Sequence, residues 1–283
     1  MSITNEYLDL FTYISSEVSL PNIKSIYLPK PVEDSEQKDD FGFVILEDNS
    51  AGAFYCNLEN TLEQLKDYYS NTSAVNVKAS GLIEKFSSKS IPDRAVALGV
   101  INAVSQHIFH RAQFSPPDKK TANTSSTGIS HPKAGERMGM IGYFSPLIER
   151  LLEKNIEVLV VEKNPARVVS QKGVVLSENV VDLNRCDHIL CTASTLINNT
   201  LDEVLDNSKQ SKSFSLIGPS GSSLPDILFN HGVDAVGGFH VDDVSALQHA
   251  LIDQQSWGHT GNKYQLTPKS YPGIEALLKR YRT

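Results

Sequence analysis

The stretch that decides the fold is "RMGMIGYFSPLIERLLEKNIEVLVVEKNP", Arg137 to Pro165. An apolar run closes on Gly142, a helical pattern starts near Ser145, and a second apolar run closes on Glu162. Strand, glycine turn, helix, strand and terminal acid are the parts of a nucleotide-binding βαβ unit. A G-x-G-x-x-G fingerprint would need two further glycines, and Phe144 and Leu147 stand in their places. The second glycine of that motif lets the backbone approach a pyrophosphate, which a phenyl ring obstructs. The βαβ frame is therefore expected, and ordinary NAD binding is not. Ser145 is expected as the helix N-cap with Pro146 at the first helical position.

The same alternation continues downstream. Short apolar runs at 138–143, 156–161, 173–176, 188–192, 213–218 and 233–237 read as strands. Helical patterns at 145–154, 196–206, 223–231 and 242–254 lie between most of them. Strands apolar throughout, alternating with helices, indicate a mainly parallel sheet covered on both faces. Asn155 and Gly232 follow two of the helices, where a left-handed residue is favoured. The fold class expected for 135–283 is α/β, a Rossmann-like doubly wound sheet.

Residues 1–112 read differently. Tyr7, Leu8, Phe11, Ile14 and Val18 recur at helical spacing, "NIKSIYLPK" reads as a strand, and "FGFVILEDNSAGAFYC" reads as a hairpin. "LENTLEQLKDYY" and "IPDRAVALGVINAVSQHIFHRA" follow as helices. This is a small α+β unit. Residues 113–134, rich in Ser, Thr, Pro and Gly, read as a linker or lid.

Composition narrows the function. A 283-residue chain with 40% hydrophobic and 21% charged residues can build full cores. A net charge of −7 disfavours a nucleic-acid partner, which needs clustered Lys and Arg. No apolar run reaches the roughly 18 residues of a membrane span, and the N-terminus lacks the basic region of a signal peptide. Cys56, Cys186 and Cys191 are odd in number and form no CxxC pair, so reduced thiols and a cytoplasmic location are expected.

Three later strand ends carry polar chemistry. Thr192, Ser194, Thr195, Asn198, Asn199 and Thr200 exceed what capping one helix needs. Gly218, Ser220, Gly221, Ser222 and Ser223 could cradle an anion or simply form a tight loop. Gly237, Gly238, His240, Asp242 and Asp243 end the sixth run, where Asp242 could also cap a helix. Metal candidates are sparse: His107 and His110 three apart on a helix, His240 with Asp242, and His131 in the linker. No G-x-S-x-G, H-E-x-x-H or P-loop motif occurs.

Taken in order, "MGMIGYFSPLIERL", "VVEKNP", "TLINNTLDEVL" and "IGPSGSSLPDILFNHGVDAVGGFHVDD" resemble the signature segments of the putative heavy-metal chelation family, a domain of unknown function with a Rossmann-like fold. "AVALGVINAV" resembles a helix of its usual companion, a domain like the amino-terminal part of enolase. The resemblance implies two domains with a ligand cleft between them. Its motifs fall on Gly139, Gly142, Phe144, Glu162, Thr195, Asn198, Thr200, Gly218, Pro219, Ser220, Gly238 and Asp242, with Gly99 and Asn102 in the companion. All of these but Gly139, Pro219 and Gly99, with Tyr143 beside Phe144 as an aromatic wall, are the expected ligand-binding residues. The expected partner is a small anionic or metal-chelating organic molecule. The rival is an enzyme using S-adenosylmethionine or a nucleotide, with Glu162 on a ribose hydroxyl. Self-association suits the fold, although no interface is legible.

Overall fold

The computed structural model describes residues 1–29, 40–69, 77–117, 132–163 and 168–282. His131 and most of the expected linker lie outside these residues. Helix α1 (Ile3–Glu17) buries Tyr7, Phe11 and Ile14, the spacing its sequence sets. Strands β1 (Ile23–Tyr27), β2 (Phe41–Leu46) and β3 (Ala51–Tyr55) form an antiparallel sheet in that order. The predicted hairpin is present, turning at Asn49 with φ 69°. Two short helices follow, α2 (Thr61–Tyr68) and α3 (Ala79–Ile83), of which α3 has no counterpart in the sequence reading.

Helix α4 (Ile91–Arg111) is the axis of the molecule. It is buried without interruption from Arg94 to Phe109, so it is covered on every side. A helix hydrophobic all round belongs in the middle of a core. Two glycines let it seat against β3. A Cβ on Gly52 would lie 2.2 Å from the Ala103 nitrogen, and one on Gly99 would lie 2.5 Å from Phe54 Cδ1. Gly99, a motif position, thus serves close strand–helix packing.

The second sheet is built from β4 (Arg137–Ile141), β5 (Glu157–Val161), β6 (Val174–Ser177), β7 (His188–Thr192), β8 (Ser213–Ile217), β9 (Ala235–Val241) and β10 (Gly261–Leu266). Its order is β10-β9-β8-β7-β4-β5-β6, with β10 antiparallel and the other pairings parallel. The chain grows outward from β4 to β6 and then returns to the other side of β4 through β7. Strand order therefore reverses between β4 and β7. Alternate residues serve opposite faces: Met138, Met140, Val158, Val160 and Leu190 pack with helix α5 (Ser145–Leu152). On the other face Ile141, Leu159, Ile189 and Cys191 join a core that also holds α1 and α4. No helix among the described residues is long and apolar enough to cross a membrane.

Several local expectations need correction. The N-cap of α5 is Phe144, with Ser145 already helical and no side chain capping the end. The helix expected over 196–206 is two pieces, α6 (Ser194–Ile197) and α7 (Leu201–Asp206). Asn199, at φ 57°, breaks it. The helix expected over 223–231 shortens to α8 (Asp226–Asn230), because Pro225 ends the preceding loop. Helix α9 (Val244–Ile252) is capped by Asp243, whose carboxylate accepts from Ala246 N, and not by Asp242. Strand β10 and the closing helix α10 (Ile274–Tyr281) have no counterpart in the sequence reading. Asn155 and Gly232 do take the expected left-handed conformation, at φ 56° and 82°.

Candidate functional site

The register places four strand ends level with one another. Ile141 pairs with both Val161 and Cys191, and Thr192 pairs with Ile217. The next residues along each strand are Gly142, Glu162, Ala193 and Gly218, which emerge together where strand order reverses. Ligands of open α/β sheets bind at such a point. Gly142 and Gly218 have φ of 85° and 122°, conformations that favour glycine and turn the chain sharply off the sheet. They are neighbours of the same turn: a Cβ on Gly142 would sit 3.4 Å from Thr192 Cγ2, and one on Gly218 3.9 Å from Ala193 Cβ. Gly142, Tyr143, Phe144, Glu162 and Gly218 are all half-buried. Tyr143 and Phe144 rest on the apolar cluster beneath α5. The Gly142 amide donates to Val161 O and the Glu162 amide to Ser177 O, which holds the turn in register.

A second group of expected site residues lies in the seam between the sheet and the N-terminal unit. Asn102 is fully buried, and its Nδ2 donates to Ala53 O at 2.7 Å and Ser220 O at 3.0 Å. The Ser220 hydroxyl accepts from Tyr55 N at 3.0 Å. Along the same loop, Ser222 Oγ accepts from Phe239 N, Ser223 Oγ is bonded to the Tyr7 hydroxyl, and Leu224 N donates to Ser105 Oγ. The serine-rich loop, read as either an anion cradle or a tight loop, is a docking seam whose buried hydroxyls have protein partners, as burial requires. The Thr195 hydroxyl donates to Thr192 O at 2.7 Å, and that of Thr200 donates to Asn198 Oδ1 at 2.7 Å. Gly238 makes room for an aromatic ring, because a Cβ there would lie 2.5 Å from Tyr264 Cζ. Gly139 likewise admits Ile189 and Leu183.

Asp242 stands apart from both groups. It is exposed at the β10 side of the sheet, where its carboxylate accepts from Asn262 Nδ2 at 2.6 Å. His240 Nε2 lies 3.7 Å from Asp242 Oδ1, while its Nδ1 is hydrogen-bonded to Gln106. Burial, more than the opposing pull of Asp242, sets its pKa below the usual imidazole value.

The remaining metal candidates do not converge. His107 is bonded through Nδ1 to Asp48 at 2.6 Å and through Nε2 to Tyr281 at 3.0 Å, while His110 is exposed. All three cysteines are free and buried. Burial pushes the Cys186 thiol up to about 11 and the Cys191 thiol up to about 12, so both are protonated and poor ligands near neutrality.

Sequence reasoning passed over one cation. Arg94 is only 4% exposed, and its guanidinium bonds to carbonyls and neutral side chains near the start of α4. A signal was available, because a cation in the first turn of a helix opposes the helix dipole.

Fold and site together define an α/β protein in which a mostly parallel seven-stranded sheet and a smaller antiparallel sheet share one buried helix. The chain belongs to the DUF364 family, described as "Putative heavy-metal chelation", whose model matches residues 127–268. An uncharacterized protein of Methanocaldococcus jannaschii is 25% identical over 211 residues, covering 72% of this chain and 76% of that protein. Two solved structures of DUF364 proteins of unknown function share the fold. The one from Desulfitobacterium hafniense gives a TM-score of 0.67 at 17% identity, and the one from Pyrococcus horikoshii gives 0.62 at 21%. Each comparison covers 94% of this chain and 98% of the other. The family description names a metal, yet the described residues contain no group of three or more His, Cys, Asp or Glu placed to hold one. A bare heavy-metal ion does not fit them.

Proposed function

We propose that the protein binds a small organic anion, or a metal already wrapped in such an anion, at the edge where β4, β5, β7 and β8 end. The level emergence of Gly142, Glu162, Ala193 and Gly218 carries this reading, with Tyr143 and Phe144 as an aromatic wall. Backbone amides and short polar groups suit carboxylate or phenolate oxygens, and they offer no soft donors to a naked transition metal. A metal chelate brings its own ligands, which reconciles the family description with the lack of a three-donor cluster among the described residues.

In this reading the sheet is Rossmann-like, since its parallel strands run 3-2-1-4-5-6 when numbered from β4. Residues 1–112 form a companion domain like the amino-terminal part of enolase, and residues 135–283 the ligand-binding domain. Asn102, Thr195, Asn198, Thr200, Ser220 and Gly238 would then shape the pocket by fixing how the two domains dock. Asp242 would have no direct part in this pocket, since it stands on the β10 side with its carboxylate engaged by Asn262. Three free buried cysteines favour a reducing compartment such as the cytoplasm.

Native mass spectrometry of freshly purified protein tests the proposal. The expected result is a co-purified small molecule whose occupancy falls in Gly142→Val and Phe144→Ala. If screening against metal chelates, pterins, nucleotides and carboxylates also finds no ligand, the reading fails. One observation favours the alternative, an enzyme using S-adenosylmethionine or a nucleotide: Glu162 follows β5 directly, at the level of Gly142. There Glu162→Ala should weaken nucleotide binding while leaving the fold intact, and unchanged affinity removes the ribose role.

A further inference from the structure

A cleft of about 360 Å³ opens between α1, the start of α4 and the turn after α6, away from the strand ends discussed above. Its lining includes two cations, Lys89 and Arg94, with hydroxyls from Ser87, Ser88 and Thr4 and the Asn198 amide, and it includes no carboxylate. Arg94 forms the floor. It donates through Nε to Ile197 O at 2.6 Å and through Nη2 to Leu196 O at 2.7 Å, Thr4 Oγ1 at 3.2 Å and Asn199 Oδ1 at 3.3 Å. Nη1 bonds to Phe86 O, and the guanidinium lies 4.8 Å from the Phe86 ring centroid. Every one of these partners is neutral. A buried charge is normally paired with an opposite one, because desolvation is otherwise uncompensated. Burial alone pulls the guanidinium down to about 10, which still leaves it charged at neutral pH.

The surroundings reinforce that sign. The N-termini of α1 and α4, helices of 15 and 21 residues, both reach this cleft. Their capping bonds, from Asn5 N to Ser2 Oγ and from Asp93 N to Ser90 Oγ, are both long at 3.4 Å. Nearby acids are occupied elsewhere. Asp93 accepts from Lys85 and Ser88, and Asp202 accepts from Ile3 N in an adjoining recess against Leu196 and Leu201.

We infer that this cleft is a second binding site, for a compact multiply charged oxyanion such as phosphate or a di- or tricarboxylate, held by Lys89 and the buried charge of Arg94. Arg94 also cross-links α4 to α6, so its removal would disturb folding and binding together. The decisive variants are therefore Lys89→Glu, at an exposed position, and Ser87→Asp, which brings a carboxylate to the cleft mouth.

Isothermal titration of the full chain with inorganic phosphate, pyrophosphate and citrate at low ionic strength provides the test. Saturable binding of at least one probe is expected, weakened about tenfold or more by Lys89→Glu and by Ser87→Asp. Reversing a charge removes an attraction and adds a repulsion of similar size, which together are worth roughly that factor. No saturable binding, or equal affinity in wild type and both cleft variants, overturns the inference. Loss only in Glu162→Ala would move the anion to the strand-end site and overturn it equally.

Discussion

The side-chain amide of Asn102 donates to the carbonyl of Ser220 over 3.0 Å, joining the middle of α4 to the loop that leaves β8, 118 residues later in the chain. Its second amide hydrogen goes to Ala53 O, so one side chain holds both sheets to the helix. Asn102→Ala would leave two buried carbonyls unpaired, at a cost of about 2–6 kcal/mol when each orphaned acceptor costs roughly 1–3 kcal/mol. Urea unfolding should show a lower midpoint with an unchanged slope. A wild-type midpoint would mean that the seam does not depend on this residue.

Gly238→Ala should destabilise by about 1–3 kcal/mol through overpacking, because the added methyl would meet the Tyr264 ring opposite it across the β9–β10 pair. The double variant with Tyr264→Ala should lose less than the sum of the two single losses. Strict additivity in thermal or chemical unfolding would show that the clash is relieved elsewhere.

Acid sensitivity follows from two carboxylates. The Lys212 ammonium, 2.6 Å away, is the largest influence on Glu136 and holds its carboxyl down to about 2. At Asp48 burial pushes the pKa up, but hydrogen bonds from His107 and Ser50 outweigh it and leave the group below the usual value. Both groups have depressed folded-state pKa values. Their stabilisation is therefore complete above the unfolded values near 4 and is lost as pH falls towards about 2 for Glu136. Lys212→Ala and His107→Ala should each unfold at higher pH than wild type in a circular-dichroism titration from pH 7 to 2. Superimposable acid limbs would refute the assignment.

The three thiols should be silent in the folded protein. Cys56, Cys186 and Cys191 are buried, and burial disfavours the thiolate at the latter two. Ellman's reagent at pH 8 is expected to label none of them quickly and all three in denaturant. Rapid reaction of the native protein would reveal opening around β7 and would reopen the question of direct heavy-metal capture.

The parallel sheet was legible because strands buried on both faces must be largely apolar, and the middles of β4, β5 and β7 obey that rule, while β8 keeps Phe214, Leu216 and Ile217 between and after its two serines. β10 was not, since its first residues, Gly261, Asn262 and Lys263, lie at least partly exposed on an edge strand and leave little apolar pattern. The split between α6 and α7 hid inside a run where Ile197, Leu201 and Leu205 keep helical spacing across Asn199. At the candidate site the sequence located the turn at Gly142 and the acid at Glu162 correctly on strand ends. It could not separate a serine loop that cradles an anion from one that seals a buried seam. Both need glycine for backbone freedom and hydroxyls for hydrogen bonds, and only the partner distinguishes them. Arg94 escaped notice because one arginine in a helical run reads as a surface charge.

The burial of α4 has a consequence for how the chain is made. The helix is complete at Arg111, whereas Ser220, Ser222 and Tyr264, which cover it, are synthesised much later. At about 5–20 residues per second, the interval from Arg111 to Leu266 lasts on the order of 8–30 seconds. Throughout that time the side of α4 that Ser220, Ser222 and Tyr264 later cover has only the β1–β3 sheet as a neighbour and no seven-stranded sheet to lie against, so the nascent half-molecule carries an apolar surface that a ribosome-associated chaperone would recognise. Slowing elongation downstream of α4 should therefore lower the soluble yield, while co-expressed trigger-type chaperones should restore it.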